Sequence, residues 1–213
     1  EGLEYDNGNG TLCMIGNLDE KTNTFKEESN QSIDYGIDFY APQTVLTSDG
    51  RRIMIGWMQN WETCSIRSEQ EPWFGQMSLP RELFLKNGRL YQKPIREFDE
   101  KRCNEVIYKN VMFSDTITLD GIKGRRIDME LRIRPKENEE MFYKFTVKFA
   151  QNENHWTALS FCPRESVLKI DRRFSGSRRA IIHQRCSKVD FSNKELKLRI
   201  ILDRFSVEVF VND

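Results

Sequence analysis

The residues of this chain whose types could do chemistry unaided are two histidines, five cysteines and a dense run of arginines. His155 and His183 are the only histidines, and neither has a nucleophile motif such as Gly-x-Ser-x-Gly beside it, which removes that class of serine hydrolase. Cys13, Cys64, Cys103, Cys162 and Cys186 are odd in number and widely spaced, with no Cys-x-x-Cys pair or Cys/His cluster. Neither a zinc site nor a disulfide framework is indicated, and no cofactor is expected. Free thiols in a reducing compartment are the plain reading, which favours a cytoplasmic over a secreted setting. Between Lys169 and Lys188 stand Arg172, Arg173, Arg178, Arg179 and Arg185 against a single acid, Asp171. A run this basic could hold a phosphate or an acidic polymer. A solvated sheet face or loop is the plainer alternative, because one aromatic, Phe174, is too few for the row of stacking rings that single-stranded nucleic acid needs.

Over the whole chain the charge cancels. Lys plus Arg and Asp plus Glu number 33 each, so no net field gathers nucleic acid or an acidic membrane, and neither is expected as a partner. No apolar run approaches the ~20 residues needed to span a bilayer. With 38% apolar and 31% charged residues over 213 positions, the composition suits one large or two modest globular domains. The chain opens without Met in the middle of a polar-aromatic stretch, which reads as the interior of a longer protein.

The elements available to position these groups are strands. Thr44–Thr47 and Arg52–Trp57 flank Asp49-Gly50, and Glu82–Lys86 and Arg89–Gln92 flank Asn87-Gly88. Both dipeptides suit the positive φ angles of tight hairpins. Gly10–Gly16 encloses a further short apolar element. Residues 95–105, after Pro94, carry mixed charge with apolar positions three apart and predict a short helical linker. Beyond it the period becomes two. Ile127, Met129, Leu131 and Ile133 alternate with polar residues, as do Met141 to Phe149, Leu196 to Leu202 and Phe205 to Val211. About seven such segments read as a β-sandwich with one polar face to each sheet.

Four blocks then carry a resemblance. Asp34-Tyr35-Gly36-Ile37-Asp38-Phe39-Tyr40-Ala41-Pro42-Gln43, the strand Arg51–Met58 with its Gly56-Trp57, and Trp73-Phe74-Gly75-Gln76-Met77-Ser78-Leu79-Pro80-Arg81-Glu82-Leu83 resemble successive motifs of glycoside hydrolase family 32, the β-fructosidases. Asp203-Arg204-Phe205-Ser206-Val207-Glu208-Val209-Phe210-Val211-Asn212-Asp213 is similar to the signature of that family's C-terminal sandwich, with Phe205 in place of a Ser. All four occur in family order. The resemblance implies an all-β chain: the last one to two blades of a five-bladed β-propeller over residues 1–97, then a β-sandwich over 98–213 that is incomplete at its C-terminus. It also implies retaining hydrolysis of a fructosyl linkage through a nucleophilic carboxylate and an acid/base carboxyl. Those groups belong to Asn-Asp-Pro-Asn-Gly, Arg-Asp-Pro and Glu-Cys motifs. This sequence contains no Asp-Pro and no Glu-Cys dipeptide, so no catalytic residue is assigned and the chain alone is expected to be inactive.

The same propeller topology would set Asp38 and Tyr40 on an inner strand near the central pocket, and Trp57 and Trp61 at the end of the returning strand. There they would line the saccharide side of the site, for sucrose or a fructan-type substrate of the full-length protein. Carboxylates accept hydroxyls pairwise, and indole faces pack on sugar C–H faces. The plainer alternatives are packing between blades for the tryptophans and a turn carboxylate with a strand aromatic for the other two. Arg81 and Glu82 read as an ion pair holding the blade, and Asp203 and Glu208 as turn and surface residues of the sandwich. The rival reading of the whole chain is a non-catalytic carbohydrate-binding or packing module. Uncovered sheet edges would leave the isolated chain prone to self-association.

Overall fold

The computed structural model describes residues 10–62, 64, 73–138, 140–176 and 182–212. Arg178 and Arg179 of the basic run, the opening residues Glu1 to Asn9 and the terminal Asp213 lie outside them. The described chain is all-β apart from one 3₁₀ turn, Arg96–Lys101.

Strands β1 (Leu12–Asp19) and β2 (Thr24–Ser32) form a two-stranded hairpin. β1 runs through Gly16, where the register shifts, instead of stopping there as the flanking glycines suggested. Strands β3 (Tyr40–Leu46), β4 (Arg52–Trp57), β5 (Arg81–Lys86) and β6 (Arg89–Pro94) form a four-stranded antiparallel meander in chain order. The Gln31 side chain joins the two sheets: its amide donates to the Leu90 carbonyl and its oxygen accepts from Leu90 N–H, both at 2.9 Å. One side-chain amide thus satisfies both backbone groups at the outer edge of β6.

The two hairpins differ. Asn87 and Gly88 both take positive φ, 51° and 69°, between Lys86 and Arg89, as a type I′ turn requires. Around Asp49-Gly50 the loop spans residues 47–51, and only Gly50 of the dipeptide is left-handed. The Thr47 hydroxyl takes the Arg51 N–H, while Asp49 holds the Arg51 Nε at 2.8 Å. Side-chain bonds therefore select a wider loop than the dipeptide alone predicts.

The core between the hairpin and the meander is Ile33, Phe39 and Met54, with Cys13, Leu83 and Leu90 packed against it. Gly56 on β4 is part of this fit: a Cβ there would stand 2.5 Å from two atoms of the Phe39 ring. Gly56→Ala should cost about 1–3 kcal/mol by overpacking, read as a lower urea midpoint with an unchanged slope.

The remaining strands make two facing sheets. β7 (Ile127–Ile133), β12 (Leu196–Leu202) and β13 (Val207–Val211) form one, in the order β13-β12-β7. The second holds β8 (Phe145–Phe149), β9 (Thr157–Cys162), β10 (Val167–Asp171) and β11 (Gln184–Lys188), in the order β11-β10-β9-β8. Leu159, Phe161 and Leu168 from one sheet interlock with Leu196, Leu198 and Ile200 from the other, with Phe191 between them. Such a shared apolar core is what makes the pair a sandwich. The alternation proposed from Met141 yields a strand only from Phe145; Met141 and Phe142 lie in the preceding loop and pack on the core from there.

The 3₁₀ turn fastens the two halves. Glu97 accepts from Arg51 of the meander, and Asp99 accepts from Arg199 of the sandwich at 2.7 Å.

Candidate functional site

The block from Asp34 to Gln43 is not one continuous strand, as the propeller topology implied. The Asp34 Oδ1 accepts the Gly36 N–H at 2.6 Å, an Asx-type turn that competes with strand pairing. The ladder begins only at Tyr40, and a register shift with Ala41 at φ 45° follows. Asp38 therefore sits on an irregular stretch that precedes β3, with Phe39 buried beneath it.

Tyr40 pairs directly with Trp57 across β3 and β4, so the two side chains share a face. Their ring centroids are 6.5 Å apart, and Trp57 in turn meets Trp61 edge-on at 5.7 Å. Trp61, on the turn after β4, remains 66% exposed. The Trp57 Nε1 donates to Gln59 Oε1 at 3.2 Å. Beyond Trp57 the pairing continues through a Trp57–Met77 bridge and a Met58 N–H donation to the Gln76 carbonyl.

Asp38 joins this aromatic row through Asn60. The Asn60 Nδ2 donates to Asp38 Oδ1 at 2.9 Å, and its own oxygen accepts the Glu62 N–H. Asn60 is 7% exposed. The other carboxylate oxygen, Oδ2, faces Arg172 Nη1 of the sandwich at 3.7 Å. Of the four residues expected at the site, Tyr40, Trp57 and Trp61 are joined by ring contacts, and Asp38 is tied to Asn60, the chain neighbour of Trp61. Asn60 and Arg172 were not anticipated as members. Asn60 follows a buried strand and stands beside a tryptophan, a polar position at a strand end that sequence reading can flag. Arg172 lies 134 positions from Asp38 in the chain, and no local pattern links them.

Two expected contacts are corrected. Arg81 does not pair with Glu82, whose carboxylate instead lies 3.8 Å from Arg51. Glu208 is not a surface residue: it is 5% exposed and binds Arg81. The Arg81 guanidinium donates from Nε and Nη2 to Glu208 Oε2, at 3.0 and 2.6 Å, and from Nη1 to Asp34 Oδ2 at 2.7 Å. It lies 4.3 Å over the Phe39 ring, just before β3, and 5.5 Å from the Phe210 ring of the sandwich. The other Glu208 oxygen accepts the Leu79 N–H at 2.6 Å. Burial opposes the Arg81 charge, but Asp34 and Glu208 outweigh it and hold the guanidinium protonated. Burial likewise pushes the Glu208 carboxyl up, against the pull of Arg81 and the Leu79 N–H. This ionic cluster joins the two halves of the chain beside the candidate site.

Within the basic run, Arg173 holds Asp171 through Nε and Nη2, and Gln184 adds a third side-chain donor at 2.8 Å. Burial would raise the Asp171 carboxyl, yet these bonds bring it down to about 2. Among the described residues no group of three or more His, Cys, Asp and Glu could hold a metal ion, and no helix is long and apolar enough to cross a membrane.

The arrangement offers a carboxylate whose Oδ1 accepts from Asn60, a Tyr/Trp/Trp row nearby and a cation facing its Oδ2. That combination can take the hydroxyls and C–H face of a saccharide. Similar proteins share the same backbone. Residues 1–94 match the family profile of the "Glycosyl hydrolases family 32 N-terminal domain" and residues 97–213 that of the "Glycosyl hydrolases family 32 C terminal". A sucrose-6-phosphate hydrolase of Staphylococcus xylosus is 30% identical over all of this chain, which covers 42% of that protein. A levanase of Bacillus subtilis is 32% identical over 97% of this chain and 32% of its own length. The solved sucrose-6-phosphate hydrolase of Lactobacillus gasseri superposes with a TM-score of 0.76 at 23% identity, over 94% of this chain and 40% of that one. The chain thus spans less than half the length of these relatives. With both profiles matched in order over nearly every residue, the chain belongs to glycosyl hydrolases family 32.

Proposed function

We propose that this chain is the C-terminal portion of a retaining β-fructofuranosidase that hydrolyses sucrose, sucrose 6-phosphate or a fructan. In this reading residues 1–97 are the last one to two blades of a five-bladed propeller and residues 98–213 its sandwich. Asp38, Tyr40, Trp57 and Trp61 line the saccharide side of the pocket. The observation that carries the reading is the grouping of Asp38, Asn60 and the aromatic row where β3 begins and β4 ends. The names of the similar proteins, a sucrose-6-phosphate hydrolase and a levanase, support the substrate class.

The nucleophile and the acid/base carboxyl then belong to sequence outside these 213 residues. Five cysteines free of disulfides support a reducing, cytoplasmic setting. Apolar side chains exposed on the two blade sheets, Leu12, Met14, Leu18, Val45 and Leu85 among them, support self-association of the chain when it is alone.

The test is fructose release from sucrose, sucrose 6-phosphate, inulin and levan. Both the 213-residue chain and the longest reading frame that contains it are assayed. Hydrolysis by the long protein alone is the expected result. Turnover by the short chain, with contaminating invertase excluded, would overturn the assignment of the reacting groups. Saccharide binding without turnover by the long protein would make this a binding module.

A further inference from the structure

We propose that Arg172, supplied by the sandwich, is a positioning residue for the saccharide pocket on the blade, holding the Asp38 carboxylate in register with Trp57 and Trp61. The inference rests on the reading of Asp38 as a saccharide ligand and deepens it, because it makes the second domain part of the binding site.

The first support is where Asp38 lies. The stretch from Asp34 to Phe39 has no ladder pairing, so strand hydrogen bonds do not set the carboxylate. Asn60 fixes Oδ1 from the blade side, and Arg172 faces Oδ2 at 3.7 Å from the sandwich side. At that separation Arg172 acts through charge, beyond the length of a hydrogen bond.

The second support is how Arg172 is mounted. Its N–H donates to the His183 carbonyl at 2.8 Å, and its carbonyl accepts both the Ser175 N–H at 3.0 Å and the Ser175 hydroxyl at 2.8 Å. The backbone is tied on both sides, so the guanidinium projects from a fixed base. The neighbouring acid, Asp171, is engaged by Arg173 and Gln184. Among the described residues, the acid that Arg172 faces is Asp38.

The third support is the other end of the same stretch. Asp34 is held by Arg81, which is itself held by Glu208 on β13. Sandwich charges reach both ends of the stretch that carries Asp38, one directly and one through Arg81. Where Asp38 sits relative to the aromatic row thus depends on the sandwich as well as on the blade.

The experiment uses the longest reading frame that contains this chain, with steady-state hydrolysis of sucrose as the readout. Arg172→Gln should raise KM about fivefold, the scale of a partly exposed charge pair, with kcat within about twofold. Arg172→Lys should recover most of that loss, leaving KM about twofold above wild type. In an Asp38→Asn background, Arg172→Gln should add less than about twofold, because the carboxylate it positions has lost its charge. An unchanged KM in Arg172→Gln overturns the proposal, as does a full fivefold effect that persists on Asp38→Asn. Should Arg172→Gln fail to fold, Arg172→Lys decides alone, and a fall in kcat at constant KM counts against the proposal. If the wild-type protein hydrolyses none of the β-fructosides, the reading of the site falls first and the role of Arg172 with it.

Discussion

Arg81→Met is expected to lower the stability of the chain by about 3–5 kcal/mol, seen as a large fall in the urea midpoint at neutral pH. The variant leaves Glu208, 5% exposed, and Asp34 facing the junction with no guanidinium between them. An unpaired buried carboxylate has lost its hydration without a counter-charge, and that is the costly case. Glu208→Gln alone should cost much less, since Arg81 keeps Asp34 and the glutamine oxygen still accepts the Leu79 N–H. Arg81→Met combined with Glu208→Gln should recover at least half of the single-variant loss, because the buried charge goes with its partner.

The pH dependence has a definite sign. Burial already pushes the Glu208 carboxyl up in the folded chain, and without Arg81 it moves further up. A carboxyl raised above its unfolded value contributes stability below the unfolded pKa and loses it as pH rises through the folded pKa. The deficit of Arg81→Met should therefore widen as pH rises above the ordinary carboxyl range, where the wild-type Glu208 ionises and the variant's does not, and flatten in the double variant. A loss under about 1 kcal/mol at neutral pH would show that the cluster does not hold the junction.

That cluster also marks where reading the sequence stopped. Along β13, Val207, Val209 and Val211 pack on the sandwich core, so alternation assigns Glu208 and Phe210 to the other, solvent-facing side. The assignment of faces is correct, but the second face meets the blade. Period-two patterning reports which residues alternate and says nothing of what covers the polar side. The same limit hid Arg172, whose partner lies in another domain.

Where local chemistry decides the outcome, the sequence was legible. Asn87-Gly88 alone specifies its turn, and Leu196, Leu198 and Ile200 occupy the core as their spacing requires. The Asp34–Gln43 block failed as a strand for an equally local reason, the Asp34 turn onto Gly36. Its motif was correct for the family, while the continuous strand expected of it from topology was not. Residues that build a pocket rim need irregular backbone more than they need a ladder.

Asp38→Ala in the longest reading frame is expected to lower kcat/KM for sucrose by about 100- to 10,000-fold. Two hydroxyls on one carboxylate make charge-assisted bonds of about 1.5–3 kcal/mol each, and truncation removes both. It also strips the partner from Asn60 Nδ2 and leaves Arg172 without the carboxylate it faces. Asp38→Asn should lose less, because an amide oxygen still accepts from Asn60 or from sugar. Trp57→Ala should fall between the two and Trp57→Phe near wild type, since the indole contributes mainly a face for C–H contact and for Tyr40 and Trp61. The site assignment requires this order, with the carboxylate dominant and the ring secondary. A tenfold or smaller effect of Asp38→Ala, with Trp57→Ala the more damaging of the two, would instead make the aromatic row packing between blades and Asp38 a turn residue.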